Sequence, residues 1–566
     1  TSSSTLWIST TWRISSAAEC RVAVEQGAVL YIYTNILDSG MLFDTLDWLI
    51  PGLYLALMVW IALFSAVRTR SAEALFLGGR SLGFAVVGLS LFASNISSTT
   101  LVGLAGAAYT SGISVANYEW MAGVVLILAA IFLVPVYLRN RLRTVPEYFE
   151  DRFSRGTRRY VSGWMIVLSI LVDTAASLYA GALVLQVFLP GLPMWPTVIA
   201  LGVFAGVYTT LGGLRAVMLT DVLQALVLLF GSLVLAIAVF AEFKFDWGAM
   251  TANLPADHLS LIRPADDPQM PWTGLLVGVP ILGLYYWGMN HYISQRFFAA
   301  RNEDHARWGA LLAALLKLTP LFIMVLPGAA ALALLPNLDH ADQVYPTLVR
   351  EYLPVGLRGL VLTALLAAIM STIDSTLNAA SALLHYDFLH PSRHPQEGPA
   401  SLAHARLLTL GLMAVAIAWA PVIASFPGLF SYLQQMFAIA VPPIAVVMVV
   451  GLLWAGMTSA SAWATLGLGH LLGVTFAVLE RQQLWDWHFL ETAGLVSGIC
   501  LCLAVITSVV SHSFQGRGHR PQASDWTVRW NPSMLGMAKP YPWFKHYLFW
   551  SMIFVGLTTA LLVQFA

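Results

Sequence analysis

Two polar constellations interrupt an otherwise apolar chain, and both hold residues that could bind rather than merely pack. The first is Leu91-Phe-Ala-Ser-Asn-Ile-Ser-Ser-Thr-Thr-Leu101, with Asn95, Ser97, Ser98, Thr99 and Thr100 in close succession. Hydrocarbon cannot satisfy exposed backbone or hydroxyl groups, so non-helical polar backbone at membrane depth survives only against protein or a water-filled cavity. Such a run is a poor anchor and a good way to build a binding site from a broken helix. The second is Ala367-Ala-Ile-Met-Ser-Thr-Ile-Asp-Ser-Thr-Leu-Asn378. Ser371, Asp374, Ser375 and Asn378 lie three or four apart and share one helical face. A hard monovalent cation takes several oxygen ligands, and hydroxyls plus freed carbonyls supply them without a large charge. Hydroxyls inside a helix also commonly bond back to their own carbonyls, so the stripe alone is compatible with both readings.

Charge inside a span sharpens the balance. An ionisable group at membrane depth is costly and marks function by default. Asp374, Asp173, Asp221, Glu119 and Lys317 are of this kind, and Lys317 is one of only four lysines in the chain. Snorkelling to the interface is the alternative for Lys317 and Glu119, and a place at the water boundary is the alternative for Asp221. The aromatic run Tyr285-Tyr286-Trp287 precedes Gly288 and Asn290, at a second expected helix break. Aromatic faces beside amide and carboxylate groups suit a sugar, whose ring has an apolar face and a polar rim.

The elements that must position these groups are membrane helices. The 566 residues are 58% hydrophobic and 10% charged, with mean hydropathy +0.74. A soluble protein carries about 25% charged residues. About fourteen candidate spans begin near residues 48, 83, 115, 161, 196, 216, 273, 311, 356, 403, 429, 463, 493 and 547. The fold class is therefore an all-α polytopic membrane protein. Zero net charge gives no sign of a nucleic-acid partner. Cys20, Cys500 and Cys502 form neither a bridging pair nor a zinc spacing.

Lys and Arg near span ends mark the cytoplasmic side. The richest connection holds Arg139, Arg141, Arg143, Arg152, Arg155, Arg158 and Arg159. Alternate connections continue the pattern with Arg68 and Arg70, then Arg215, then Arg296, Arg301 and Arg307, and finally Arg517 to Lys545. Acid collects on the opposite side, as in Glu242, Asp257 and Asp266. This places both termini outside the cell membrane. Broken segments near Asn95 and near Tyr285–Asn290 each open a five-span block, over residues 80–240 and 273–455. An odd number of spans inverts the second block relative to the first, and broken helices at matching places in inverted halves point to a midplane site. One helix, residues 41–70, precedes the blocks; three follow over 460–566, with a cytosolic loop at about 513–545. Residues 1–40 hold no full-length span and are expected to be non-native or disordered, with Met41 a natural start.

Several segments in order resemble the sodium/solute symporter family. They are Ala93-Ser-Asn-Ile-Ser97, Asn117-Tyr-Glu-Trp-Met121, Gly212-Gly-Leu-Arg-Ala-Val-Met-Leu-Thr-Asp221, Tyr285-Tyr-Trp-Gly-Met-Asn-His-Tyr-Ile-Ser-Gln-Arg296 and Tyr345-Pro-Thr-Leu348. The branch most similar is that of the sodium/glucose and sodium/galactose cotransporters. The resemblance implies a leucine-transporter-like core of five plus five inverted helices, with the first and sixth broken, and secondary active transport. It also implies a main sodium site from the carbonyls of Ala93, Ile96 and Ala368 and the hydroxyls of Ser371 and Thr372. Asp221 matches the family aspartate linked to cation coupling, with Asp374 and Ser375 as contributors to a second sodium site. Sugar-family positions retained are Asn95, Glu119, Trp287, Lys317 and Gln434, with Tyr286 as the inner-gate aromatic. Thr100 stands where the sugar branch usually has Gln or His, and Ala122 and Gly283 fall where the bacterial galactose carrier has polar contacts.

The expected function is sodium-coupled symport of a sugar or sugar-like solute, with sodium, the solute and the bilayer as partners. Symport of another polar organic solute, such as an organic acid, an amino acid or a polyol, is the alternative, since Lys317 could pair with a carboxylate. A sugar sensor without flux is weakened by the lack of a fused signalling domain. No phosphate loop or His-Glu-x-x-His pattern points to an enzyme.

Overall fold

The computed structural model describes residues 44–66, 72–77, 79–189, 191–390, 399–426, 428–515, 526–528 and 542–565. The expected leader at 1–40 and most of the late loop at 513–545 lie outside the described residues. Among those described, regular structure is helical, and extended pairing is limited to two isolated bridges. Thirteen helices are long and apolar enough to cross a bilayer, and the shorter Phe84–Asn95 adds half of another.

In chain order these are α1 Thr45–Ala66, α2 Phe84–Asn95, α3 Ser98–Ser111, α4 Ala116–Arg139 and α5 Arg155–Phe188. They continue as α6 Met194–Leu211 and α7 Gly213–Glu242, then α8 Trp272–Met289 and α9 His291–Phe298. Next come α10 Glu303–Leu334 and α11 Leu357–Leu389, then α12 Pro399–Trp419 and α13 Leu429–Leu453. The chain ends in α14 Ser459–Arg481, α15 Phe489–Gln515 and α16 Tyr547–Gln564. Helix α11 is buried almost throughout and forms the core's axis, while α1 turns Leu53 (63% exposed) and Trp60 (61% exposed) outward. Large apolar side chains on the outer faces are what a lipid solvent requires.

Both expected breaks are present. Between α2 and α3, Ile96 takes φ −74°, ψ 80°, and the Ser97 side chain caps α3 by accepting from Thr100 N. The Ser97 N–H turns to Asn95 O at 2.8 Å, which takes it from the carbonyl of Ala93 four residues back. Between α8 and α9 the chain loosens into a π-helical turn at Tyr285–Met289 and then leaves helical geometry at Asn290 (ψ 128°). Gly213 separates α6 from α7 with φ 67°, ψ 173°. A Cβ there would meet Leu75 side-chain and carbonyl atoms at 2.9 and 3.0 Å, so glycine is required on both conformational and steric grounds.

Basic residues do more than mark a side. Arg296, expected in a cytoplasmic connection, is fully buried on α9. Arg158 pairs with Asp387 at 2.6 Å, and Arg152 donates to the carbonyls of Gly451 in the last turn of α13 and of Trp454 just beyond it. These arginines fasten helix ends that would otherwise leave carbonyls unsatisfied.

Helix α1 is tied to the core through the Tyr54 hydroxyl, which accepts from Gln224 Nε2 on α7 at 2.9 Å, and through its first turn. Buried Asp47 accepts from the backbone N–H groups of Gly356 at 2.7 Å and Gly359 at 2.8 Å, capping the central helix α11. A carboxylate at a helix N-terminus also meets the positive end of the dipole. Asp47→Ala is expected to cost about 1–2 kcal/mol and to lower the melting temperature of the purified protein. An unchanged Tm would show that α1 does not brace α11 through this cap.

Candidate solute and cation sites

A cavity opens beside both helix breaks. Asn95 and Thr100 line it from the first break, Glu119 from α4, Tyr286 and Trp287 from the second break, and Gln434 from α13. Lys317 stands behind the wall rather than in it. Its Nζ is bonded to Glu119 Oε2 and lies 5.0 Å from the centre of the Trp287 ring. The ammonium thereby holds a carboxylate and an aromatic wall in fixed relation. Thr100 Oγ1 donates to Asn95 O at 2.8 Å, so this short hydroxyl turns back onto the broken backbone. Asn95 Oδ1 has no hydrogen-bond partner. Tyr292 donates to the Tyr286 hydroxyl, which positions the Tyr286 ring edge-on to Trp287 at 5.3 Å.

The cavity shares Tyr118 and Phe430 with a second chamber that includes Gln269, Asp342 and His488. The two rings meet edge-to-face at 5.0 Å, making a thin aromatic partition. Gly283 lines the first cavity, whereas Ala122 packs in an apolar cluster with Val125, Leu126 and Trp287. The two positions, grouped by sequence, are therefore divided by the fold.

The residues expected to hold sodium form a second, adjoining set. Ala93 and Ile96 at the end of α2, and Ala368, Ser371 and Thr372 on α11, are buried in one region. Ser371 Oγ donates to Asp221 Oδ1 at 2.7 Å, and Thr372 Oγ1 donates to Ala368 O at 3.2 Å. Each hydroxyl keeps lone pairs free. With the unhelical carbonyls at 93–96, this donor set is all oxygen and fits sodium. Among the described residues, no three His, Cys, Asp or Glu side chains cluster as a metal site.

Arg296 completes the set, and sequence reading placed it elsewhere. Its Nη2 donates to Asp221 Oδ2 at 3.1 Å, to Ser94 at 2.6 Å and to Ser375, and Nε donates to Ser90 at 3.2 Å. Ser90 and Ser94 donate to Asp221 at 2.5 and 3.2 Å. Asp374 and Ser375 diverge: Ser375 joins this network, while Asp374 accepts from Thr209 on α6 at 2.6 Å. The signal available in the sequence was the pairing of a second intramembrane charge with Asp221; Arg296 was read as a loop residue because it follows a helix break.

The sequence profile of the sodium:solute symporter family matches residues 75–469. The chain belongs to the sodium:solute symporter family. Among relatives of this symporter, sodium/myo-inositol cotransporter 2 of Sus scrofa is 36% identical over 469 residues, 76% of this chain and 69% of the relative. The sodium/glucose cotransporter of Vibrio parahaemolyticus is 32% identical over 487 residues, covering 80% of this chain and 88% of the relative. A sodium-coupled sialic acid symporter in a substrate-bound outward-open state shares the fold, with TM-score 0.72 and 21% identity over 83% of this chain and 98% of that one. Mhp1, a nucleobase-cation-symport-1 family transporter, is similar at TM-score 0.53 and 15% identity, over 80% and 98% of the two chains. The symporter thus has the leucine-transporter-like fold, with helices broken at both expected places.

Because Asp221 and Arg296 are both fully buried, removing one strands the other. Arg296→Met is expected to destabilise the symporter by about 3–5 kcal/mol, seen as a large drop in Tm and yield. The double variant Asp221→Asn, Arg296→Met should recover most of that loss. Equal Tm for wild type and Arg296→Met would show that the pair carries no such energy.

Proposed function

We propose that the protein moves a sugar or sugar-like polyol into the cell with sodium, by alternating access between outward-open and inward-open forms. The names of its relatives, sodium/glucose and sodium/myo-inositol cotransporters, support this reading. The observation that carries it is Thr372, which lines the solute cavity and also stands among the hydroxyls suited to sodium. A residue common to both sites lets occupancy of one alter the other directly, and such coupling is reciprocal.

Sodium arriving from outside binds the oxygen set at Ala93, Ile96, Ala368, Ser371 and Thr372, and straightens the junction between α2 and α11. The solute then bonds to Asn95, Glu119 and Gln434 and lies against Tyr286 and Trp287. The Tyr118–Phe430 partition closes above it, and release follows when Tyr286 swings away. The five-helix blocks at 80–240 and 273–455 supply the rocking halves, with both termini outside, as the arginine-rich connections indicate. Asp221, salt-bridged to Arg296, senses cation binding through Ser371; Asp374 and Ser375 supply oxygens to a second cation only if that network rearranges.

Purified protein in liposomes with an imposed sodium gradient tests the whole reading. Sodium should drive accumulation and potassium should not. Ser371→Ala and Thr372→Ala should each lower apparent sodium affinity more than solute affinity at saturating sodium. Unchanged sodium dependence in both variants would contradict the cation assignment.

Solute choice follows from Thr100. A threonine that bonds its own helix break leaves volume where the sugar branch places Gln or His, and Gly283 adds to that space. A cyclic polyol or a substituted sugar should therefore be preferred over plain glucose or galactose. Thr100→Gln, which restores a long amide, should shift preference towards the simple hexoses, because buried polar groups discriminate strongly between solutes. Competition against a labelled polyol measures this. Wild-type preference for glucose or galactose, with Thr100→Gln only impairing uptake, would refute it.

A further inference from the structure

Asp173 projects into the solute cavity from a π-helical turn of α5, Leu168–Thr174. Turns of this type frequently mark functional sites. The side chain is only 6% exposed. Its Oδ2 has no hydrogen-bond partner, and no ion pair to it exists among the described residues. Glu119, the other carboxylate of the cavity wall, is already matched by Lys317. Arg296 is committed to Asp221. Among the described residues Asp173 is thus the wall carboxylate with no cation opposite it, and burying a charge in that condition is costly.

The surroundings specify what would match it. Tyr286, Trp287, Tyr292, Phe430 and Phe437 line the same cavity as Asp173. Tyr286 packs edge-on to Phe437 at 6.0 Å as well as to Trp287. The Asn290 amide beside the break is the nearest side-chain donor to Asp173 and is neutral. A carboxylate among aromatic faces attracts an organic cation twice over, by charge-assisted hydrogen bonding and by cation–π attraction. A neutral hydroxyl can bond to Asp173 but leaves its charge unmatched. Sodium is better served by the oxygen set on α2 and α11, which has no aromatic wall.

Resting on the sugar-symport reading, we propose that the preferred solute is a sugar or polyol bearing a protonated amine, with Asp173 as the residue that selects for the ammonium group.

The test uses the full chain in liposomes under a sodium gradient, with glucosamine, N-acetylglucosamine, glucose and myo-inositol as competing solutes. N-acetylation removes the charge while keeping the ring. Glucosamine should outcompete both N-acetylglucosamine and glucose by at least about tenfold. Asp173→Asn should collapse the ratio of glucosamine to N-acetylglucosamine towards unity, and Asp173→Glu should keep part of it. Sodium-driven uptake of neutral solutes with indifference to the amine overturns the inference and leaves the sugar reading standing. A variant that shifts only the pH profile of uptake, with the ratio intact, also overturns it, since Asp173 would then hold a proton. Silence towards all four solutes overturns both. The wild-type comparison decides the matter even where a variant fails to fold.

Discussion

A charge taken out of water must be matched where it lies, and the architecture here is arranged around one such match. Asp221 on α7 and Arg296 on α9 are each fully buried, and four serines complete their bonding. Ser90 and Ser94 come from α2, and Ser371 and Ser375 from α11. The network therefore joins the first half of one broken helix to the second half of the other, across the central helix. Desolvation makes each missing partner expensive, so these four helices are held in register by electrostatics rather than by apolar packing alone. In a bilayer apolar packing discriminates weakly, because lipid tails are as apolar as leucine.

The breaks themselves follow from the same constraint. Freed carbonyls are tolerated only where protein or a polar cavity receives them. At the first break the Ala93 carbonyl loses its helical donor inside the buried core; at 285–290 a π-helical turn relaxes the ladder before Asn290 leaves it. Gly213 adds a third interruption, and the helices on either side of it both reach the polar face of α11, one turn apart. That is why Thr209 reaches Asp374 while Asp221, twelve residues on, reaches Ser371.

The sequence made the spans, both breaks and most of the cavity wall legible, since hydropathy and polar interruptions are local signals. Asn95, Thr100, Glu119, Tyr286, Trp287 and Gln434 converge on one cavity as anticipated. What local pattern could not show was pairing. Arg296 looked like a loop arginine because it lies just beyond a break, and its partner is 75 positions away. Ala122 and Gly283 looked equivalent, yet only the fold shows which faces the cavity. Asp173 was visible as a costly charge, but its lack of a partner is a three-dimensional fact. The stripe on α11 illustrates the same limit: residues one turn apart on one face answer to different neighbouring helices.

On the proposed reading, charge accounting also explains how two binding sets can adjoin without merging. The cation set carries one acid and one base in Asp221 and Arg296, and the cavity carries a second matched pair in Glu119 and Lys317. Each pair is neutral as a unit, so neither set carries a net charge from these four residues that would repel what the other set takes up. Communication then falls to shared geometry, and Thr372 is where the two sets touch. A hydroxyl bonded to its own helix can rotate at little cost, because the Ala368 carbonyl it leaves keeps its helical donor. Filling the cation set would draw that hydroxyl away from the cavity wall and reshape the space the solute meets. Coupling of this kind needs no long pathway; one side chain with two discrete arrangements is enough.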